Sequence, residues 1–303
     1  MHVGDLTERE LDARLDAGIG LHFGAACARI QGAGVGLGGP LSTVYGAFPV
    51  EAAQGYFDVS VKVRPAHSLR RYVRPQVELV VDGKSLFAPF PADTPLPLLE
   101  WGINYLIAER LGFHLLLHAG VVELNGRAVV MPALPGSGKS TLTAALALRG
   151  FRLLSDEFGV VRKNDGHLLP LLRPIALKNE SIDVIGRFAP QAPMGPRYPK
   201  TRKGTVAHLA PAASAVARRF ESAAPGLIVF PRYDPTVSLR LEPVRKARAF
   251  GRLAVNSFNY EMLGPEGFDG VARLVAACPV YDLSYSDLDR AVAAIHELAS
   301  QVG

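Results

Sequence analysis

Met131-Pro132-Ala133-Leu134-Pro135-Gly136-Ser137-Gly138-Lys139-Ser140-Thr141 lies between an apolar run that reads as a strand and a periodic run that reads as a helix. Strand, glycine-containing loop and helix, in that order, are what a phosphate-binding loop requires. Glycines let backbone N–H groups turn inward around phosphate oxygens. A lysine sets a point charge on the distal phosphates, and the hydroxyl that follows it can ligate magnesium. On this reading Pro135, Gly136, Ser137, Gly138, Lys139, Ser140 and Thr141 contact a nucleotide, and Ser140 is a metal ligand. The full pattern has a further Gly ahead of Ser137, at the position of Ala133; Gly136 and Gly138 remain at the tightest part of the loop. A Gly-Lys-Ser by itself also fits a turn that caps a helix, so the flanking elements carry the weight.

Working outward, Leu115–Leu124 and Arg127–Met131 are apolar runs joined by Asn125-Gly126, the strongest short hairpin signal. Downstream, Leu142, Ala145, Leu146 and Leu148 give one apolar helix side that Gly150 ends. Strands are expected at Phe151–Leu154 and Phe158–Arg162, with Asp156-Glu157 between them, and Asn164-Asp165-Gly166 turns into another at His167–Leu172. The two acids thus fall at a strand end, one helix and one strand beyond Lys139. One carboxylate there can take the proton of an attacking hydroxyl while its neighbour holds or orients magnesium. Two acids at a strand-to-turn junction with no chemical role are the plainer alternative. His118, inside the apolar run ahead of the loop, reads by itself as a hydrogen-bonded core residue.

The rest of the chain frames this centre. Leu6, Leu11 and Leu15 suit a short peripheral helix from near Thr7 to Gly18. Short alternating runs at Leu21–Ile30, Leu41–Phe48, Tyr56–Val63 and Gln76–Val81 predict an antiparallel sheet, with Asp82-Gly83 turning into Ser85–Phe90. The Gly32–Gly39 segment fits a flexible turn rather than a dinucleotide loop. Leu98–Leu111 has helical spacing and marks the seam, giving an N-terminal β-rich region over 1–97 and a nucleotide-binding core over 98–303. Pro190–Lys203 reads as a basic, proline-containing loop, with Arg197, Lys200, Arg202 and Lys203 able to hold phosphates or an acidic substrate and Gly204 as a hinge. Arg64, Arg70, Arg71 and Arg74 form a second basic cluster. Asn256-Ser257-Phe258-Asn259-Tyr260 could supply amide contacts or simply pack. Strands are expected at Leu227–Phe230, Val237–Leu241 and Val280–Tyr285, and helices after Ala247, at Gly270–Ala277 and at Ser286–Ala299.

The chain has 303 residues, 49% of them apolar, and a formal charge of +5. This is enough to bury a full core, and the mild basicity does not demand nucleic acid. No run of about 18 uncharged apolar residues exists, and the acidic N-terminus does not read as a leader. A cytoplasmic protein without a membrane partner is therefore expected. Cys27 and Cys278 indicate neither a disulfide framework nor a zinc site.

His118-Ala119-Gly120-Val121-Val122, then Gly136-Ser137-Gly138-Lys139-Ser140, then Arg149-Gly150-Phe151-Arg152-Leu153-Leu154-Ser155-Asp156-Glu157 resemble the HPr kinase/phosphorylase family, and more closely the HPr-kinase-related kinases. The match spans roughly Leu115 to Val161. The resemblance implies an α/β fold with a P-loop core and an N-terminal antiparallel β region. It also implies Asp156 as general base with His118 beside it, Lys139 and Ser140 on phosphates and magnesium, and a homo-oligomer. The chain departs from the family in having Ala119 after His118, Ala133 in the loop, and Glu157 where the family has a second Asp. Glu157 keeps the charge with a longer reach. Arg173-Pro174-Ile175-Ala176-Leu177-Lys178-Asn179-Glu180 occupies about the place of the family's substrate-recognising segment but differs in composition, which points away from the family's phosphocarrier protein as substrate.

The expected activity is a Mg- and ATP-dependent kinase acting on a Ser or Thr hydroxyl of a peptide or small protein. Asp156, His118, Lys139 and Glu157 are the expected catalytic residues, with Ser140 and Glu157 at the metal. A nucleotide-gated regulatory or binding module, or an NTPase without an acceptor, is the alternative.

Overall fold

A computed structural model of the chain describes residues 1–32, 34–66, 73–134 and 136–302 and is mixed α/β. The chain enters through α1 (Glu8–Ala17), whose start is closed by a reciprocal Thr7–Glu10 capping box. Leu11 and Leu15 of this helix are fully buried, so it belongs to the core rather than the periphery. A first sheet follows from β1 (Ile19–His22), β2 (Cys27–Gln31), β3 (Glu51–Ala52), β4 (Val59–Pro65), β5 (Gln76–Val81), β6 (Lys84–Ser85) and β7 (Phe90–Pro91), with α2 (Gly38–Val44) between β2 and β3. Its order is β3-β1-β2-β4-β5-β6, with β7 also on β5.

Two expectations for this region are corrected. The sheet is mixed, because β2 and β4 run parallel, Ala28 opposite Val59. A parallel pair needs a crossover, and α2 lies in that connection where the sequence pattern suggested a strand at 41–48. The glycine-rich segment ahead of it is the approach to a helix. Pro40 falls in the first turn of α2, where its missing N–H costs nothing, and the Gly38 N–H donates to Asp12 Oδ1 of α1 at 2.9 Å. Of the N-terminal basic cluster, Arg64 pairs with Glu78 at 2.9 Å. Arg70 and Arg71 lie outside the described residues.

Helix α3 (Pro95–Arg110) packs on β4 and β5 of this sheet. Beyond it, β8 (Leu115–Leu124) and β9 (Arg127–Pro132) form the expected hairpin, with Asn125 and Gly126 at φ 51° and 80° in its turn. Next come α4 (Lys139–Leu148), β10 (Arg152–Ser155), β11 (Phe158–Val161), β12 (Leu168–Leu169) and β13 (Ile175–Lys178), then α5 (Glu180–Phe188), β14 (Tyr198–Thr201), β15 (Gly204–Leu209) and α6 (Ala213–Ala217). The chain closes with β16 (Ala224–Tyr233), β17 (Leu239–Pro243), α7 (Lys246–Val255), α8 (Tyr260–Leu263), α9 (Pro265–Ala277), β18 (Val280–Tyr285) and α10 (Leu288–Ser300).

The central sheet runs β12-β11-β8-β9-β16-β18-β17, with β10 also on β8. It is mixed too: β9, β16 and β18 are parallel, while β8 and β17 run antiparallel to their neighbours. Side-chain alternation along β8 sorts its residues between two layers. Leu115, Leu117, Ala119 and Val121 join Leu253, Val271 and Leu274 on one face. Leu116 and Val122 join Leu142, Ala145 and Leu146 on the other, in a cluster that continues into the N-terminal sheet. Each such aliphatic side chain contributes about 1.5–3 kcal/mol by burial. His118 and Gly120 share the α4 face, and there the backbones approach so closely that a Cβ on Gly120 would lie 2.1 Å from Thr143 Oγ1. A separate small sheet, β13-β15-β14, packs through β13 against α4. The stretch read as a basic loop therefore contains β14, and Gly204 opens β15 in the same hairpin at φ 82°.

Candidate functional site

The loop between β9 and α4 is held by its neighbours' backbones. The Tyr233 N–H donates to the Ser137 carbonyl at 2.9 Å, and the Tyr285 hydroxyl lies 3.4 Å from the Gly138 carbonyl. Gly138 precedes α4 at φ 85°, and a Cβ there would meet Tyr285 Oη at 2.8 Å and Tyr233 Cβ at 3.2 Å. Among the described residues the buried Ser137 hydroxyl has no partner, and the first N–H groups of α4 lie at a helix start, where the helix itself offers them no acceptor. Such a helix start is a ready anion site. Ser140 and Thr141 are half-buried on the first turn of α4; Pro135 lies outside the described residues. Left-handed φ costs a non-glycine residue about 1–2 kcal/mol. Gly138→Ala is therefore expected to lower the stability of the fold by about 1–2 kcal/mol, read as a lower urea midpoint.

Asp156 and Glu157 occupy a break in one edge of β8. Arg152 and Leu153 of β10 oppose Glu123 and Val122, the register shifts by one residue at Ser155, and pairing resumes with Phe158 opposite His118. The extra residue, Leu154, makes a bulge of the kind that re-aims side chains, and just beyond it, between Ser155 and Phe158, the ladder lapses. Arg152 anchors the approach by donating to the buried carboxylate of Glu123.

Lys139, the first residue of α4, is buried and reaches into the break. Its Nζ donates to the Asp156 carbonyl and lies 3.4 Å from Asp156 Oδ1. Both side chains are under 10% accessible. His118 Nε2 is 3.8 Å from Glu157 Oε1, and its ring meets Phe258 edge-on at 5.6 Å. Burial, with Lys139 adding to it, holds His118 below the ordinary histidine range despite the nearby carboxylates. The imidazole is therefore neutral at pH 7. Burial pushes the Glu157 carboxyl up, but its charged neighbours, Lys139 first and then Lys178 and Lys203, more than offset that and hold it below its usual range. The structure thus brings His118, Lys139, Asp156 and Glu157 together. Among the described residues, no group of three or more His, Cys, Asp and Glu side chains is placed to hold a metal unaided.

Sequence reasoning missed Lys178, at the end of β13. Burial and Lys203 hold its ammonium below the usual lysine range. A single lysine ending a short strand carries no local signal; only the third sheet brings it to the two acids. The 256–260 segment turns out to serve packing. Asn259 accepts from the Leu116 N–H and donates to the Gly112 and His114 carbonyls, and the Ser257 hydroxyl donates to Leu116. Arg173 is equally internal, donating to Glu100 Oε2 at 2.6 Å and to Asn104 Oδ1 at 2.6 Å.

Two recesses flank the centre. One, of about 630 Å³, runs beside Ala133, Leu134 and Ser137 toward Phe230, Arg232 and Arg248. The other, of about 320 Å³, lies on the side of the acids and includes Trp101, Glu157, Lys178, Lys203 and His208. Burial pushes the His208 imidazole down to about 4. The unfolded chain protonates this group near its ordinary value while the folded chain resists, so stability falls as the pH drops from about 6.5 to about 4. The loss through this residue is roughly 3 kcal/mol. Urea unfolding across that range should show a shallower decline for His208→Gln than for the parent.

In comparison with known proteins, no family model matches the chain, and no curated protein matches it either. The roles of these residues therefore rest on their geometry.

Proposed function

We propose that the chain is a Mg- and ATP-dependent phosphotransferase with a P-loop core. It moves the γ-phosphoryl group of ATP to a Ser or Thr hydroxyl of a peptide or small protein. The contact of Lys139 with Asp156 carries this reading, because it sets the loop's cation and a buried carboxylate at one point. Phosphoryl transfer asks the protein mainly for positioning and charge neutralisation. The helix start and Lys139 cradle the phosphates, and the recess along Leu134 and Phe230 takes the rest of the nucleotide. Asp156 accepts the proton of the incoming hydroxyl as its oxygen attacks phosphorus. Neutral His118 and ionised Glu157 shape the field around that step, and Lys178 adds positive charge beside the transferring group. Ser140 and Glu157 are the residues that would hold magnesium, and the ion would supply charge neutralisation at the phosphates.

Incubation with labelled ATP, magnesium and a peptide pool tests the proposal. Label should pass to an acceptor. Phosphate release that ignores every acceptor would favour a hydrolase, and binding without turnover would favour a nucleotide-gated module.

A further inference from the structure

The recess of about 320 Å³ beside the acids is built from elements far apart in the chain. Trp101 of α3 and Phe90 of β7 form an aromatic wall, their rings 5.4 Å apart. The far face of Trp101 is already taken by Phe87, stacked at 4.6 Å. Arg202, in the β14–β15 turn, caps the wall with its guanidinium 5.4 and 5.6 Å from the two ring centroids. Lys178 and Lys203 complete the rim, and Glu157 is shared with the catalytic centre. A narrower channel along Ser155, Asp156, Glu157 and Asn104 adjoins it.

The charges in this recess are unequal. Elsewhere on the hairpin, Arg197 is engaged with Asp183 at 2.7 Å and Lys200 with Asp93 at 3.6 Å. Among the described residues, no carboxylate lies within ion-pair distance of the side-chain charges of Lys178, Arg202 or Lys203. The carboxylate of Glu100 is consumed by the Tyr45 hydroxyl and Arg173, each at 2.6 Å. His208 on the floor is uncharged at neutral pH. What remains is an aromatic wall under a cationic rim, ending at the acids. Its volume sits at the lower end of ligand sites, which suits a few side chains of an extended segment.

We propose that this recess is the acceptor subsite, and that it takes a Ser- or Thr-containing peptide segment with a carboxylate and an apolar side chain next to the hydroxyl. The inference rests on the phosphotransfer reading above. The apolar side chain lies on Trp101 and Phe90, the carboxylate meets Arg202 and Lys203, and the hydroxyl is delivered past Glu157 to Asp156. The transfer balances as the acceptor oxygen bonds to the γ-phosphorus, the bond to the β–γ bridging oxygen breaks, and the hydroxyl proton passes to Asp156. ADP and the phosphorylated peptide leave.

The test uses the full chain with Mg-ATP and synthetic peptides of equal length, each with one Ser. One carries Glu and Phe beside the Ser, a second has Lys for Glu, a third has Ala for Phe, and free L-serine is the small-molecule arm. The Glu/Phe peptide is expected to exceed the Lys peptide in kcat/KM by about tenfold or more. A chain with both Arg202→Glu and Lys203→Glu, changes confined to the exposed turn, is expected to reverse that order while Mg-ATP affinity stays within about twofold. Equal use of the Glu and Lys peptides, free serine accepted as well as the Glu/Phe peptide, or no peptide labelled while Mg-ATP binds would each overturn the acceptor assignment. Failure of the unaltered chain to bind Mg-ATP would remove the phosphotransfer reading itself, and the subsite with it.

Discussion

Asp156→Asn is expected to slow phosphoryl transfer by about 10²- to 10⁴-fold while leaving Mg-ATP binding nearly intact. The change is nearly isosteric, and the strongest anchor of Lys139, the main-chain carbonyl of residue 156, survives it. The lysine therefore stays where the proposed phosphate site needs it. What disappears is a group able to accept the acceptor's proton. Since the side chain is buried beside Lys139, losing the negative charge also costs some stability, so a melting curve must accompany the kinetics. Transfer at the parent rate would shift the base assignment away from Asp156. Glu157 is the poorer candidate, because a carboxylate held below its ordinary range binds a proton weakly, and general bases work best with values near the operating pH.

Arg173→Met is expected to destabilise the fold by about 3–5 kcal/mol, seen as a lower urea midpoint. The guanidinium bonds both the carbonyl and the carboxylate of Glu100, as well as Asn104, while Tyr45 donates to the same carboxylate. Burial opposes the charge of Arg173, and Glu100 and Tyr45 more than restore it. Removing the arginine leaves Glu100 buried with one neutral donor and releases from α3 the segment that leads into β13. Lys at this position keeps the charge but loses the fork that reaches two partners at once. The double change Arg173→Met with Glu100→Met should recover much of the loss, since neither charge is then stranded. A midpoint unchanged by Arg173→Met alone would mean that the network is not closed in solution.

Local chemistry made much of this molecule legible in the sequence. Asn125-Gly126 and Asp82-Gly83 hold the turns expected of them, with Asn125 and Asp82 at positive φ, and the helix after Lys139 ends where Gly150 predicts. Asp156 and Glu157 fall between two strands as their spacing suggested. The failures have a common cause. A short apolar run such as 41–48 does not distinguish strand from helix by periodicity, and it was the docking of α2 on α1 that decided it. Parallel pairing of β2 with β4, the β14–β15 hairpin and the convergence of Lys178, Arg202 and Lys203 all depend on partners distant in the chain. Arg173 was visible as a residue, but its burial was not.

The register shift within β10, between Leu153 and Ser155, bears on how this protein can change. Ser155 and Phe158–Val161 face β8 in one register, displaced by one residue from that of Arg152 and Leu153, so Leu154 is the residue to spare, and the two acids follow it unpaired beside His118. Deleting one residue there would slide β11 by a place and turn Phe158 and Val160 from their own layer to the opposite one. Insertions and deletions should therefore be tolerated in the turn at 163–166 and nowhere between 153 and 161. The core, rather than the chemistry, would be the first to reject them.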